Sequence, residues 1–316
     1  MTTRTAAATR EALCPTLARL VREGLDIVVV DADLGSSTTA RQFGREFPER
    51  FITVGVAEQG MVSTAAGLAA AGKTVFISTF AVFAPGRCFD QLRVGVAQPG
   101  LNVKLVASHA GIITGEDGAS AQAIDDLALM LSLPGFRVVA PADVVEAEQA
   151  IEVAARTNGP FYIRTARPKT PVIYDEGYRF ALGKAHLLRP GKDVTLMATG
   201  VMVKAALDAA ELLAGEGIDC RVLNMASLKP LDEEAVLAAA RETGAIVTAE
   251  DHLVHGGLGS LIAQTVVRQA PVPMAFVGMQ DQYATSGRWD QLLKHYGLTP
   301  EKIAEAARGV LARKGR

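Results

Sequence analysis

The chain has 316 residues, 49% of them hydrophobic and 21% charged, a composition that indicates a globular protein of about two domains with a large core. Its 32 basic and 34 acidic residues leave a formal net charge of −2, so composition provides no excess of positive charge for nucleic acid or anionic lipid. We therefore expect a small-molecule substrate, with neither a nucleic acid nor a membrane as partner.

The cysteines and the apolar stretches indicate the compartment. Cys14, Cys88 and Cys220 are widely spaced and form no CxxC pair, so neither a disulfide framework nor a zinc site is predicted. The apolar stretches are shorter than the ~20 residues of a membrane span, and the N-terminus MTTRTAAATR lacks the apolar segment of a signal peptide. We expect a soluble protein of the reducing cytoplasm.

Short β-branched runs alternate with helical stretches along the chain. The alternation stops at 165–193, where Pro, Gly and charged residues concentrate and where we place a linker. Near-continuous apolar strands separated by helices are typical of doubly wound, mostly parallel α/β sheets. We predict two such domains, at 1–175 and 190–316. The predicted strands are 27–31, 51–54, 74–78, 103–107, 136–139, 161–164, 194–198, 220–224, 245–249 and 274–277.

The segment VGVAEQGMV at 54–62 places a carboxylate in a nearly uncharged run. The following residues favour a helix, in whose first turn Glu58 shares the apolar face that includes Met61 and Ala65. Such a carboxylate is either a first-turn residue that interacts with the helix dipole or a desolvated group with a raised pKa that holds or transfers a proton.

Polar and aromatic residues follow several predicted strands at their carboxyl ends. Parallel α/β sheets bind ligands at that edge, so these residues predict an active site, although each taken singly also fits a core, turn or surface role. They are Asp31, Asp33, Ser36, Ser37, Glu58, Thr79, Phe80, Phe83, Ser108 and His109, with Glu116 and Asp117 in a glycine-rich loop.

These motifs resemble the C-terminal half of transketolase over essentially the whole chain. The resemblance rests on DADLGSST (31–38), VGVAEQGM (54–61), STFAVF (78–83), SHAGIITGEDGASAQ (108–122) and GPFYIRTARP (159–168). In the second half, VTLMATG, CRVLNMASLKPLD and VTAEDHLVHGGLGS are similar to the third domain of that family. The resemblance implies a pyrimidine-binding domain of the thiamin-diphosphate-binding fold, followed by a transketolase C-terminal domain.

The resemblance further implies a split enzyme. The chain contains no GDG motif followed some 25–30 residues later by Asn, which is the family's usual magnesium-diphosphate signature. Thiamine diphosphate would therefore be shared with a separate N-terminal, diphosphate-binding subunit that holds most of the contacts to Mg²⁺ or Ca²⁺, in an α2β2-like heterotetramer. No metal ligand is expected in this chain.

Three residues match cofactor contacts of the family. Glu58 matches the glutamate whose protonated carboxyl bonds the pyrimidine N1′ and favours the imino tautomer that removes the C2 proton of thiamine. Phe83, with Phe80 near it, matches the aromatic pair that packs on the aminopyrimidine. The similarity slips by one residue after Phe83, so the next cofactor-contacting position corresponds to either Arg87 or Phe89.

The substrate residues match the family less completely. Arg10, Arg167, His109 and Ser36 or Ser37 match positions that hold the sugar phosphate, and Asp117 matches the aspartate that contacts a substrate hydroxyl. Ala121 stands where the family has a second active-site histidine. This difference leads to the hypothesis that a branched, sulfonated or otherwise unusual ketose replaces xylulose 5-phosphate.

Two motifs of the second half have weaker implications. Gly256, Gly257 and Gly259 open a predicted helix and either cradle an anion or permit close packing. The run AEDH at 249–252 suggests a metal site or a catalytic triad, but its neighbourhood in the sequence supplies neither further ligands nor a nucleophile. We expect this half mainly to build subunit contacts, as the resemblance implies.

Several alternatives stay open at this point. The beta subunit of a 2-oxo acid dehydrogenase shares this domain order and an AEQG-like motif, whereas 1-deoxyxylulose 5-phosphate synthase is normally an undivided chain. A noncatalytic regulatory or interaction subunit would keep the fold without needing Glu58, Phe83 and Asp117 together. A nicotinamide dehydrogenase is disfavoured because no GxGxxG follows the first strand.

Overall fold

The computed structural model describes residues 5–314. Fourteen strands occur in this range: β1 (Ala6–Ala7), β2 (Ile27–Asp31), β3 (Phe51–Thr53), β4 (Thr74–Phe80), β5 (Val103–Ser108), β6 (Arg137–Val139), β7 (Phe161–Arg164), β8 (Thr170–Pro171), β9 (His186–Arg189), β10 (Val194–Ala198), β11 (Cys220–Asn224), β12 (Ser227–Lys229), β13 (Ile246–Leu253) and β14 (Met274–Met279).

The same range contains twelve α-helices. They are α1 (Leu13–Arg22), α2 (Gly35–Thr38), α3 (Ala40–Glu46), α4 (Glu58–Ala70), α5 (Ala84–Arg87), α6 (Asp126–Leu131), α7 (Val144–Arg156), α8 (Met202–Ala214), α9 (Glu233–Thr243), α10 (Leu258–Gln269), α11 (Trp289–His295) and α12 (Pro300–Leu311). Among these described helices, no segment has the length and apolar character to cross a bilayer.

Two mostly parallel sheets confirm the predicted α/β fold. The first has seven strands in the order β12-β6-β7-β5-β4-β2-β3, and all its neighbours are parallel except β12 with β6. The second has the order β14-β13-β10-β11-β9, with only β9 antiparallel. The central strands β2, β5 and β10 are buried at every residue, as their continuous apolar runs predicted.

Four short strands have no counterpart among the predicted ones. β1 and β8 pair with each other, β9 lies inside the segment predicted to be a linker, and β12 follows β11 after two residues. Since β12 pairs with β6, residues of the second half complete the sheet of the first half. The domain limits 1–175 and 190–316 stay a prediction, but the two halves share a sheet.

Side-chain caps define where several helices begin. Asp143 accepts a hydrogen bond from the Glu146 N–H at the start of α7, and Asp232 accepts one from Ala235 N–H at the start of α9. Thr299 caps α12, whose first residue is a proline. Each cap satisfies an N–H group that has no partner within its helix, so these polar residues fix the ends of the amphipathic segments.

Candidate active site at the carboxyl edge of the first sheet

The first turn of α4 places Glu58 at the carboxyl edge of the first sheet. As the spacing predicted, Glu58 shares the buried face of α4 with Met61, Val62, Ala65 and Ala69. Only 6% of the residue is exposed. Its environment is not purely apolar, however, because the Nη1 of Arg87 donates a hydrogen bond to its Oε1 at 3.0 Å. This ion pair favours the carboxylate form in the isolated chain.

Arg87 also contacts the aromatic pair. Its guanidinium carbon lies 4.0 Å from the centroid of the Phe83 ring, a cation–π contact. Gln59, the residue after Glu58, donates its Nε2 to the Arg87 carbonyl at 2.9 Å and so ties α5 to α4. Arg87 rather than Phe89 therefore lies at the site, since Phe89 packs against the hydrophobic core cluster.

A stack of rings extends from Arg87 into the protein. Phe83 and Phe80 are stacked with their centroids 5.5 Å apart, and Phe80 stacks on His109 at 3.7 Å. Phe80 and His109 are buried, whereas Phe83 is half-buried. The aromatic pair and His109 are thus parts of one continuous stack, whereas the sequence predicted only that its members lie at the same edge.

His109 is held in one state by its neighbours. Burial, together with the charges of Arg10 and Arg167, lowers its pKa to about 3, so the ring is neutral at pH 7. Arg10 Nη1 lies 3.4 Å from Nε2, and because arginine only donates, Nε2 accepts. Nδ1 then carries the proton and donates to Ser108 Oγ at 2.8 Å. His109 also has φ of 59°, which is uncommon outside glycine.

Two arginines face the far end of the stack. Burial and the charge of Arg167 lower the pKa of Arg10, which shows that the two cations act on each other. Arg10 Nη1 donates to the Ser37 carbonyl at 2.6 Å, while its buried Nε has no partner among residues 5–314. Two guanidinium groups with spare donors can bind a tetrahedral anion.

The remaining predicted substrate residues lie beside Arg167. Its Nη1 donates to the Thr114 carbonyl at 2.7 Å and to Asp117 Oδ1 at 3.1 Å, and Glu116 Oε2 is 3.6 Å away. Asp117 is exposed, so its ion pair with Arg167 contributes only about 0–1 kcal/mol and can be exchanged for a ligand. Ser36 and Ser37 lie on α2; Ser36 is exposed and Ser37 contributes its carbonyl to Arg10.

The second-half motifs have structural roles. Glu250 accepts hydrogen bonds from the N–H groups of Leu258 and Gly259 at 2.8 and 2.9 Å. The N-terminus of α10 therefore binds the protein's own carboxylate, and an external anion does not fit there. Gly256 and Gly259 permit close packing, because a Cβ would lie 2.6 Å from Ala128 Cβ and 2.7 Å from the Phe276 ring, respectively.

Family models match both halves of the chain. The transketolase pyrimidine-binding domain matches residues 5–172, and the transketolase C-terminal domain matches residues 183–303. The chain belongs to the transketolase family. This membership implies dependence on thiamine diphosphate and supports the transketolase interpretation over a 2-oxo acid dehydrogenase.

Relatives in the transketolase family include chains of similar extent. The chain is 44% identical to a putative transketolase C-terminal section of Methanocaldococcus jannaschii, over 92% of both chains. It is 45% identical to the 6-deoxy-6-sulfo-D-fructose transketolase subunit SqwH of Clostridium sp. (strain MSTE9), over 91% of this chain and 89% of the relative. It also matches human transketolase at 40% identity, but there it spans 49% of the longer protein.

Solved transketolases have the same fold. A split gene transketolase, described as an inactive beta4 tetramer, superposes with a TM-score of 0.89 at 46% identity, over 97% of this chain and 99% of that one. The transketolase of Leishmania mexicana gives 0.85 at 26% identity, over 100% of this chain and 47% of that one. The chain therefore corresponds to the C-terminal subunit of a split transketolase.

Proposed function

We propose that this chain acts with a diphosphate-binding subunit to transfer a two-carbon ketol unit from a ketose phosphate, or a related ketose, to an aldose acceptor. One observation carries this proposal. A single sheet edge brings together a buried carboxyl group, a ring stack and a pair of arginines, which suits a flat cofactor ring at one end and an anionic sugar at the other.

The residues around Glu58 fit the pyrimidine ring of thiamine diphosphate. Arg87 already places a planar, hydrogen-bonding group against both Glu58 and Phe83. With Arg87 displaced, the Glu58 carboxyl would hold a proton against a ring nitrogen, because burial without a cation favours the neutral acid. Phe83 and Phe80 would provide the apolar face and restrict water. When bound, thiamine diphosphate supplies the carbon nucleophile that takes up the ketol unit.

At the other end, Arg10 and Arg167 would bind the anionic group of the sugar. Neutral His109 would add a hydrogen bond, Ser36 or Ser37 a hydroxyl group, and Asp117 a contact to a sugar hydroxyl. The names of two relatives refer to unusual sugars: the sulfofructose enzyme above, and one of the apulose-4-phosphate transketolase subunits of Phocaeicola vulgatus, 36% identical over 95% of this chain. Together with Ala121, they support a branched or sulfonated ketose as substrate.

The partner would complete the site. We propose an N-terminal, diphosphate-binding subunit that holds the cofactor tail and most contacts to Mg²⁺ or Ca²⁺, in an α2β2-like heterotetramer in the cytoplasm. Two relatives support a two-chain enzyme, since one is named as a C-terminal section and the other as one of several lettered subunits.

Reconstitution tests this function. The purified chain alone should bind thiamine diphosphate weakly and show no turnover, and mixing with the partner should restore both. Calorimetry measures cofactor binding, and assays against ketose phosphates, branched ketoses and sulfonated ketoses measure transfer. Full activity of the isolated chain would contradict partner dependence, and full turnover of xylulose 5-phosphate would contradict the unusual-ketose hypothesis.

A Glu58→Gln variant tests the assigned carboxyl group within the complex. It should assemble normally, because glutamine has nearly the same shape, but lose most of the activity, since an amide cannot transfer a proton to the ring. Glu49→Gln, an exposed residue outside the site, is the matched control. Wild-type turnover by Glu58→Gln would remove Glu58 from this role.

A further inference from the structure

The loop at 111–118 carries Asp117 and is enclosed by residues of the second half. We call residues 111–118 the substrate loop, a name that rests on the proposed function. Between Ile112 and Asp117 it forms two 3₁₀ turns separated by Gly115, whose φ is 83°. With so few internal hydrogen bonds, its shape depends on contacts from outside.

On its inner side, the loop contacts a buried carboxylate of β13. Asp251 is 2% exposed, and its Oδ1 accepts a hydrogen bond from the Ile112 N–H at 3.0 Å. Gly111 permits this approach, because a Cβ there would lie 1.8 Å from Asp251 Oδ2. Arg164 in turn donates to the Asp251 carbonyl at 2.8 Å and pairs with Asp126, so the backbone behind the carboxylate is fixed.

The Asp251 carboxylate is costly for stability. Its Oδ2 is buried and lacks a hydrogen-bond partner within residues 5–314. An incompletely paired buried carboxylate destabilises a fold relative to an apolar side chain of similar size. Stability alone therefore does not explain an aspartate here, whereas a fixed anchor for the Ile112 backbone does.

On its outer side, the loop contacts the segment 285–289. Ser286 Oγ donates to the Glu116 carbonyl at 2.6 Å. Gln122 Nε2 donates both to the Gly115 carbonyl at 3.2 Å and to the Thr285 carbonyl at 3.1 Å, so it joins the loop to this segment. The loop is thus clamped between β13 and the residues that precede α11.

The clamped loop in turn holds residues of the proposed sugar site. Arg167 donates to the Thr114 carbonyl and to Asp117, both in the loop. Thr114 Oγ1 donates to the His109 carbonyl at 2.6 Å. A displacement of the loop would therefore move the arginine, the aspartate and the histidine together, but it would not move Glu58 or Phe83, which lie on α4 and next to α5.

We infer that the second half of the chain positions the substrate loop, with Asp251 as a positioning residue on the inner side and Ser286 on the outer side. Misplacement of substrate-binding groups by about 1 Å can reduce catalytic efficiency roughly a hundredfold. The second half thus contributes to sugar recognition without contacting the sugar, in addition to the subunit contacts expected of it.

Asp251→Ala and Ser286→Ala test this inference in the reconstituted complex. Both should raise KM for the ketose, by roughly tenfold or more for Asp251→Ala and by less for the exposed Ser286. The Kd for thiamine diphosphate should not change. Asp251→Asn should recover much of the loss, since its amide oxygen still accepts from Ile112. Hydrogen exchange at 112–118 should increase in both alanine variants, and exposed Asp281→Asn is the control.

Other outcomes would overturn the inference. An unchanged ketose KM in Ser286→Ala together with unchanged exchange at 112–118 would do so, and this exposed variant decides even if Asp251→Ala does not fold. A parallel loss of cofactor and ketose binding in Asp251→Ala would indicate general damage and also overturn it. If wild-type complex transfers no ketol unit, the proposed function fails, whereas normal variants in an active complex refute only the positioning role.

Discussion

Arg87 makes, in the isolated chain, the two contacts that we assign to the cofactor ring. Its guanidinium lies over Phe83 and pairs with Glu58. Sequence analysis placed Phe80, Phe83 and Glu58 at one edge, because they follow strands of one sheet. It did not place Arg87, because the resemblance slips by one residue after Phe83 and a long flexible side chain has no fixed direction in a sequence. The cation–π contact itself could be found only from coordinates.

Removal of the Arg87 side chain should strengthen cofactor binding. In an Arg87→Ala complex, thiamine diphosphate no longer competes with a guanidinium that is worth about 0.5–1 kcal/mol on an exposed ring face, plus its ion pair. We expect Kd for the cofactor to decrease about threefold to tenfold, measured by calorimetry. Arg45→Ala, also exposed, should leave Kd unchanged. Weaker binding in Arg87→Ala would instead make Arg87 a cofactor ligand.

The buried neutral His109 predicts a pH dependence of stability. Its pKa is about 3 in the folded chain and 6.5 ordinarily. As pH falls below 6.5 the unfolded chain binds the proton first, so His109 lowers stability progressively down to pH 3, by at most about 1.4 kcal/mol per pH unit. In His109→Asn, the free energy of unfolding should fall less steeply across this window in urea titrations. Identical slopes for both proteins would show that His109 is not buried as a neutral ring.

At the scale of elements, periodicity predicted the regular parts and missed those formed by distant pairing. The buried runs became β2, β4, β5, β10 and β13, and the apolar face of α4 is the predicted one. β9 and β12 are short antiparallel strands whose residues carry no alternating pattern, so only their partners β11 and β6 define them. The contact between Asp251 and Ile112 joins residues 139 positions apart, which no local motif indicates.

Two glycines with positive φ separate backbone strain from steric exclusion. Gly24 has φ of 97°, and a Cβ added to it would have nothing within 4 Å, whereas at Gly111, with φ of 75°, a Cβ would meet the Asp251 carboxylate. Gly24→Ala should therefore cost only the strain, about 1–2 kcal/mol. Gly111→Ala should cost clearly more, because either the loop or Asp251 must move. Urea unfolding compares them, and equal losses would contradict the close approach.

At the scale of the molecule, the two halves form one cooperative unit. β12 extends the first sheet, and a single hydrophobic cluster includes Met61 and Val75 of the first half with Leu228 and Ile262 of the second. Lys229 at the end of β12 donates to the carbonyls of Leu131 and Leu133 at 3.0 and 2.7 Å. We expect a single unfolding transition despite the two predicted domains.

Lys229→Met should destabilise this unit while keeping the aliphatic stem. Loss of the ammonium leaves two partly buried carbonyls without this donor, at about 1–3 kcal/mol. Circular dichroism and the fluorescence of Trp289, the single tryptophan, should still report coincident transitions at a lower urea midpoint. Exposed Lys192→Met is the control. Two separate transitions in the wild-type chain would show that the halves unfold independently.

The pairing of β12 with β6 also limits how the polypeptide can be divided. A fragment that ends before Ser227 would leave the backbone N–H and C=O groups of β6 along an open margin. Such a margin recruits strands from other molecules and promotes aggregation. Expression of the pyrimidine-binding half alone should therefore give insoluble material unless a peptide spanning 225–231 is supplied to cover that margin.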